Sequence, residues 1–212
     1  MARISWGEAT KRVFEVGLDR GVFYPQIGAA APWNGLISVT EGSEGGEVRP
    51  FYMDGIKVMN LAGSEEFIAS IESFYPPEGF DLSGGSAQIS PGLFATQQIR
   101  QSFNMTYRSL LGNDVDGIEH GYKIHMVYNA LASPSDVSHS TISDTAEAPT
   151  MSWNITTLPP ITTGIRPTAH FVVDSTLASG ADVTALEDIL YGTDINSPRM
   201  ATVSELLTIF GS

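Results

Sequence analysis

The chain has 212 residues, 42% of them hydrophobic and 17% charged, with 21 glycines and 12 prolines; a single domain of that size buries roughly 70% of the surface its unfolded chain exposes. Eleven Lys and Arg against 24 Asp and Glu leave a formal net charge of −13, which opposes binding to nucleic-acid phosphates or to an anionic membrane surface. With no cysteine, disulfides and thiolate metal sites are excluded. The segment from Met1 to Glu8 has no apolar signal core, and no run of about 18 apolar residues is present to span a bilayer, so the expectation is a soluble protein not exported by that route. The sequons at Asn104 and Asn154 fall inside predicted strands and carry no weight in such a chain.

In chain order, residues 11–17 and 22–24 predict short strands separated by a turn at Leu18-Asp19-Arg20-Gly21, and residues 36–40 predict another. The stretch Glu41-Gly42-Ser43-Glu44-Gly45-Gly46-Glu47 is too rich in Gly, Ser and Glu to pack alone and is expected to be a flexible loop, as is the Pro- and Gly-rich segment 76–92. Between them, residues 49–53 and 56–60 flank Asp54-Gly55, the strongest hairpin signal in the chain because both turn residues tolerate positive φ. Residues 67–74 form a further strand candidate.

The clearest alternation follows. Phe103, Met105, Tyr107 and Leu111 share one face of an extended segment, and Tyr122, Ile124, Met126 and Tyr128 oppose Lys123, His125 and Asn129. Met151, Trp153 and Ile155 repeat the pattern. One dry and one polar face indicates antiparallel sheets. After a strand at 170–174, Asp182 is expected to cap a helix whose Val183, Leu186, Ile189 and Leu190 form one stripe, stopped by Gly192. Thr202 and Glu205 make a capping box for a shorter helix ending at Gly211. Both helices are too short to stand alone in water and must dock on a sheet. The fold expected is mainly β (α+β): one domain, residues 1–212, an antiparallel β-sandwich with a flanking α-helix and a short C-terminal helix.

The acid- and histidine-rich stretch from Leu110 to His125 invites a chemical reading. Asp114, Asp116 and Glu119 fail the spacing of a calcium loop, because Gly117 comes too early and the distant bidentate Glu is missing. Gly, Asn and Asp between two alternating strands instead read as a polar hairpin connection. The histidines 120, 125, 139 and 170 show no H-E-x-x-H pair, and His125 falls on the polar side of its strand, so no metal site or cofactor is expected. No nucleophile elbow, Walker loop or dinucleotide turn occurs. Glu65, Glu66 and Glu72 offer carboxylates of the kind glycosidases use in pairs, but they read as solvated surface, and no enzyme is expected. Trp33, in Pro32-Trp33-Asn34-Gly35, is either a packed aromatic or the exposed stacking residue of a carbohydrate-binding β-sandwich.

Several segments taken together resemble the major tail proteins (tail tube proteins) of long-tailed phages infecting actinobacteria. They are residues 17–25 (GLDRGVFYP), 32–36 (PWNGL), 60–67 (NLAGSEEF), 110–132, 186–194 (LEDILYGTD) and Pro198-Arg199. The resemblance implies a structural virion protein whose hexameric rings stack into the hollow tail tube, alongside tape-measure, tail terminator and tail tip proteins. Genome DNA would pass through the lumen without specific binding. It would be assembled in the host cytoplasm and reside in the tail of the virion. It also implies that the loop Glu41, Gly42, Ser43, Glu44, Gly45, Gly46 and Glu47 reaches the adjacent ring, and that acids such as Glu65, Glu66 and Glu72 face the lumen, where they would repel phosphate.

Overall fold

The alternating segments become strands of one large antiparallel sheet. In chain order the computed structural model contains β1 (Phe14–Pro25), β2 (Ala31–Pro32), β3 (Leu36–Gly45), β4 (Val48–Met53), β5 (Ile56–Ala62), β6 (Glu65–Ser73), α1 (Asp81–Gly84), β7 (Ala87–Ser90), β8 (Leu93–Ala95), β9 (Phe103–Asn113), β10 (Gly117–Pro134), β11 (Met151–Thr157), β12 (His170–Asp174), α2 (Gly180–Tyr191) and α3 (Val203–Phe210). The structure describes residues 4–211 apart from 5, 10, 136, 138, 140, 142–148 and 163, so half of the N-terminal segment examined for a signal core lies outside it. The main sheet runs β2-β1-β9-β10-β11-β6-β3, with β12 also on β10, while β4–β5 and β7–β8 are two-stranded. Among the described residues, no helix is long and apolar enough to cross a membrane.

The sheet is rolled rather than flat. Phe23 of β1, Met105 of β9, Val127 of β10, Trp153 of β11 and Ile71 of β6 share one buried cluster although they come from opposite ends of the strand order. Its two halves therefore face each other as the layers of a sandwich do. The outer face of β10 supplies Ile124, Met126 and Tyr128 to a second cluster with Val183, Leu186 and Leu190 of α2 and Val203 and Leu206 of α3. The expected mainly β, antiparallel fold with docked helices is thus what forms.

Alternation lets β10 serve both clusters, and a bulge along its 18 residues resets which positions face inward. Asn129 has φ 47°, and the register against β9 slips between Val127 and Ala130. Val127, Ala130 and Ala132 consequently all face the inner core, as an extra residue in the strand requires. On one side of the bulge the free edge of β10 pairs with β12, on the other with β11. The Asn129 N–H, displaced from the ladder, donates to Asn104 Oδ1 at 2.8 Å, and its side-chain amide donates to the Leu158 carbonyl at 3.0 Å.

Three local expectations are corrected. Residues 18–21 do not turn the chain: they lie within β1, whose register shifts on either side of Asp19 and which is clamped to β9 where Arg108 donates to both Asp19 oxygens at 2.7 Å. Segment 76–92 is not one open loop, since it contains α1 and β7. Helix α2 is capped by Ser179, whose hydroxyl accepts from the Asp182 N–H at 3.2 Å, and not by Asp182 itself. The capping box of Thr202 and Glu205 forms as predicted.

Trp33 is only 2% exposed. Its ring lies 5.3 Å from Phe80 and 6.1 Å from Trp153 between centroids, and its N–H donates to Ser73 Oγ at 2.9 Å. It is a core aromatic, which removes the feature that suggested a sugar-binding face. Trp33→Ala is expected to lower the unfolding free energy by about 3–5 kcal/mol in urea denaturation. A second prediction concerns pH. The Arg199 guanidinium, with help from the Thr202 N–H, holds the Glu205 carboxyl at about 2, against an ordinary 4.5. A depressed folded value contributes stability that is complete above the unfolded value and is lost as pH falls through the folded one. Glu205→Gln should therefore be less stable than the wild type near neutrality, and thermal melts should show that gap closing between pH 4.5 and about 2.

Candidate functional site

The stretch expected to be a flexible loop is the paired root of an arm. Residues 41–45 continue β3, paired to β6 down to Gly45 opposite Glu65. The Gly46 N–H then donates to the Ser64 carbonyl at 2.9 Å and the Gly63 N–H to the Glu47 carbonyl at 3.2 Å, after which β4 pairs with β5 from Val48–Ala62 to Met53–Ile56. Asp54 (φ 50°) and Gly55 (φ 78°) close the tip in the left-handed conformations that were predicted. Glu41 to Gly45 gave no strand signal because their inward positions carry Glu41 and Ser43 instead of apolar residues; the ladder to β6 supplies the order that composition could not.

Every residue of β4 and β5 is exposed. Phe51 is 50% exposed, Tyr52 62%, Met53 65% and Ile56 68%, with Met59 and Leu61 similar. A two-stranded ribbon has no third layer to cover it, and exposed apolar surface of this extent marks an interaction site. At the joint between its halves, Gly45 and Gly46 have φ of 85° and 71°, and a Cβ on Gly45 would lie 2.5 Å from the Ser64 carbonyl oxygen.

The acids singled out on β6 do not form one group. Glu66 and Glu72 alternate with Phe67, Ala69 and Ile71 and so point outward, and Glu72 accepts from Ser38 Oγ at 3.1 Å. Glu65 shares the inward face with Phe67, at the root of the arm. All three are exposed.

Asn113 organises the connection between β9 and β10. Its side-chain oxygen accepts from the N–H groups of Val115 and Asp116 at 2.8 and 2.5 Å. Its amide donates to Asp116 Oδ2 at 2.8 Å and meets His120 Nδ1 at 2.9 Å. Asp116 and His120 are thereby committed to the turn, the hairpin connection expected from the residue types.

A polar cluster that sequence reading missed closes one end of the rolled sheet. Tyr107, Ser109 and His125 project inward from β9 and β10, while Glu41 comes from β3 and His170 from β12. His125 is 5% exposed, not solvated. The Tyr107 hydroxyl donates to Glu41 Oε1 at 2.6 Å, and the same oxygen lies 3.0 Å from His125 Nδ1. The adjacent His125, and after it the Tyr107 hydroxyl, outweigh desolvation and hold the Glu41 carboxyl at about 2. Burial pushes His170 below its ordinary value, favouring neutral imidazole.

The ring contacts fix orientations. His125 stacks on Tyr107 with centroids 4.7 Å apart, and His170 on Phe67 at 4.3 Å. His125 Nδ1 and His170 Nε2 are 3.3 Å apart, whereas the ring centroids are 5.5 Å apart. Most of the centroid separation thus lies along the N···N line, so the two imidazoles meet edge to edge. No sequence motif links Glu41, His125 and His170; only the rolled topology brings them together.

No protein-family model and no curated protein matches the chain. Among solved structures it aligns with a chain described as "Cryo-EM structure of the anti-feeding prophage (AFP) baseplate, 6-fold symmetrised", at 12% identity over 80% of this chain and 97% of that one, with a TM-score of 0.35. A similarity that distant does not bear on function.

Tyr107→Phe removes a charge-assisted hydrogen bond from a carboxylate that is partly withdrawn from water. It is expected to destabilise the protein by about 1.5–3 kcal/mol in urea denaturation.

Proposed function

We propose that this protein is a phage tail tube subunit that assembles into hexameric rings, which stack into the hollow tube conducting DNA from capsid to host. The observation that carries the reading is the arm: a paired ribbon whose distal half exposes Phe51, Tyr52, Met53, Ile56, Met59 and Leu61 to water. Such a surface is costly in a free subunit and is stabilised once a neighbouring copy covers it. The several segments resembling tail tube proteins point the same way. The role is structural and not enzymatic, within the tail of the virion, with tape-measure, terminator and tip proteins as partners. The acidic balance of the chain suits a lumen along which DNA slides without adhering.

In this reading the element that reaches the adjacent ring is the arm from β3 to β6, with its contact surface on β4 and β5 and not at residues 41–47, which form its root. The small β7–β8 hairpin, with Ile89 68% and Leu93 56% exposed, is a second surface for neighbours.

The test is to delete residues 46–64 and join Gly45 to Glu65 by a two-residue Asn-Gly turn, which their register as direct partners allows. The shortened chain is expected to remain folded and soluble but to form no tubes, while the intact protein forms rings or tubes in negative-stain images, alone or with its tape-measure partner. Tubes of normal appearance from the shortened chain would overturn the role of the arm. An intact protein that stays monomeric under all these conditions would overturn the tube reading itself.

A further inference from the structure

The geometry points to a metal site: we propose that Glu41, His125 and His170 bind one divalent ion of the zinc class, joining the root of the arm to β10 and β12. One ligand atom from each of the three lies within 4.8 Å of the other two. A tetrahedral zinc ion with bonds of about 2.0–2.1 Å keeps its ligand atoms roughly 3.3–3.4 Å apart. His125 Nδ1 lies 3.3 Å from His170 Nε2 and 3.0 Å from Glu41 Oε1, so one edge of the ligand triangle has that length and a second is about 0.3 Å short of it.

The surrounding hydrogen bonds fix which nitrogen of His125 faces this point. Ser109 has one hydroxyl hydrogen and donates it to Glu15 Oε1 at 2.6 Å, a carboxylate that can only accept. His125 Nε2, 2.9 Å from the same hydroxyl oxygen, is therefore the donor in that contact. In neutral His125 the lone pair then sits on Nδ1, where it faces a carboxylate oxygen and a second imidazole nitrogen. That contact is favourable only with hydrogen or a cation between the atoms, which a proton on Nδ1, the N–H of a His170 protonated on Nε2, or a metal ion would supply.

The partners behind the ligands have the form of a metal site's outer shell. Ser109 with Glu15 sets the His125 tautomer, the Tyr107 hydroxyl orients Glu41, and Phe67 supports the His170 ring. Two imidazoles with one carboxylate suit zinc, cobalt or nickel, whereas calcium and magnesium require oxygen ligands. The Glu41 side chain is 37% exposed, which provides an entry path and leaves a position for water. The role is a staple. It does not depend on the tube reading, since it concerns the isolated subunit.

The test uses the full chain without affinity tag, stripped with chelator. One equivalent of Zn2+ should bind, and at a hundredfold excess over Kd should raise Tm by about 5–10 °C, with no such rise for Ca2+ or Mg2+. Co2+ should give the visible absorption of a tetrahedral nitrogen and oxygen site. His170→Gln and Glu41→Gln should each weaken Zn2+ binding by at least about tenfold, and Ser109→Ala, which touches no metal, should do so through the tautomer. Circular dichroism reports whether each variant is folded, and Glu41→Gln, at an exposed position, carries the variant test if His170→Gln is not. Absence of both the Tm rise and the Co2+ spectrum in the wild-type protein would show that a proton alone fills the point and would overturn the proposal. Undiminished affinity in folded Glu41→Gln or His170→Gln would place the ion elsewhere and overturn it equally.

Discussion

The double duty of β10 is the constraint on which the rest of the structure depends. One strand supplies Val127, Ala130 and Ala132 to the aromatic core inside the rolled sheet and Ile124, Met126 and Tyr128 to the layer beneath the helices. A straight pleat alternates faces strictly and would turn Ala130 and Ala132 outward with Tyr128, so keeping them inside needs a change of phase. The Asn129 bulge provides that change. Because β11 then leads to β6 and β6 to β3, the bend also brings the start of the arm back across β9 and β10.

Much of this was visible in the amino-acid pattern where the signal was local. Alternation in 122–128, the Asp54-Gly55 tip, and the stripe of Val183, Leu186 and Leu190 each arise from a few neighbouring residues, and each appears in the structure as expected. What failed to show was set by distance along the chain. The polar face of β10 could not be known to be covered at His125, since its cover is Glu41 and His170 from two remote strands. Gly-rich composition at 41–47 suggested an unpaired loop, because ladder bonds to β6 leave no trace in a local window. Trp33 was ambiguous for a similar reason: only the packed partners Phe80 and Trp153 distinguish a core indole from an exposed one.

The two ends of the arm contrast sharply. Its root is fixed by polar contacts inside the subunit, with the Tyr107 hydroxyl donating to Glu41 and His125 3.0 Å from the same carboxylate oxygen. Its tip carries apolar side chains that none of the described residues covers. Such a division separates the part that must hold one geometry within the monomer from the part whose partner lies outside it, and it keeps the sticky surface away from the core during folding.

The glycine joint halfway along has a mechanical meaning. Strand pairing is continuous on both sides of Gly45 and Gly46, yet the link itself rests on two backbone hydrogen bonds and residues without side chains. A ribbon built in this way is stiff along its length and compliant about one point, like an oar in its lock. A load applied at the tip turns the blade before it strains the hull, so a contact made there can survive tilting of the body that carries it.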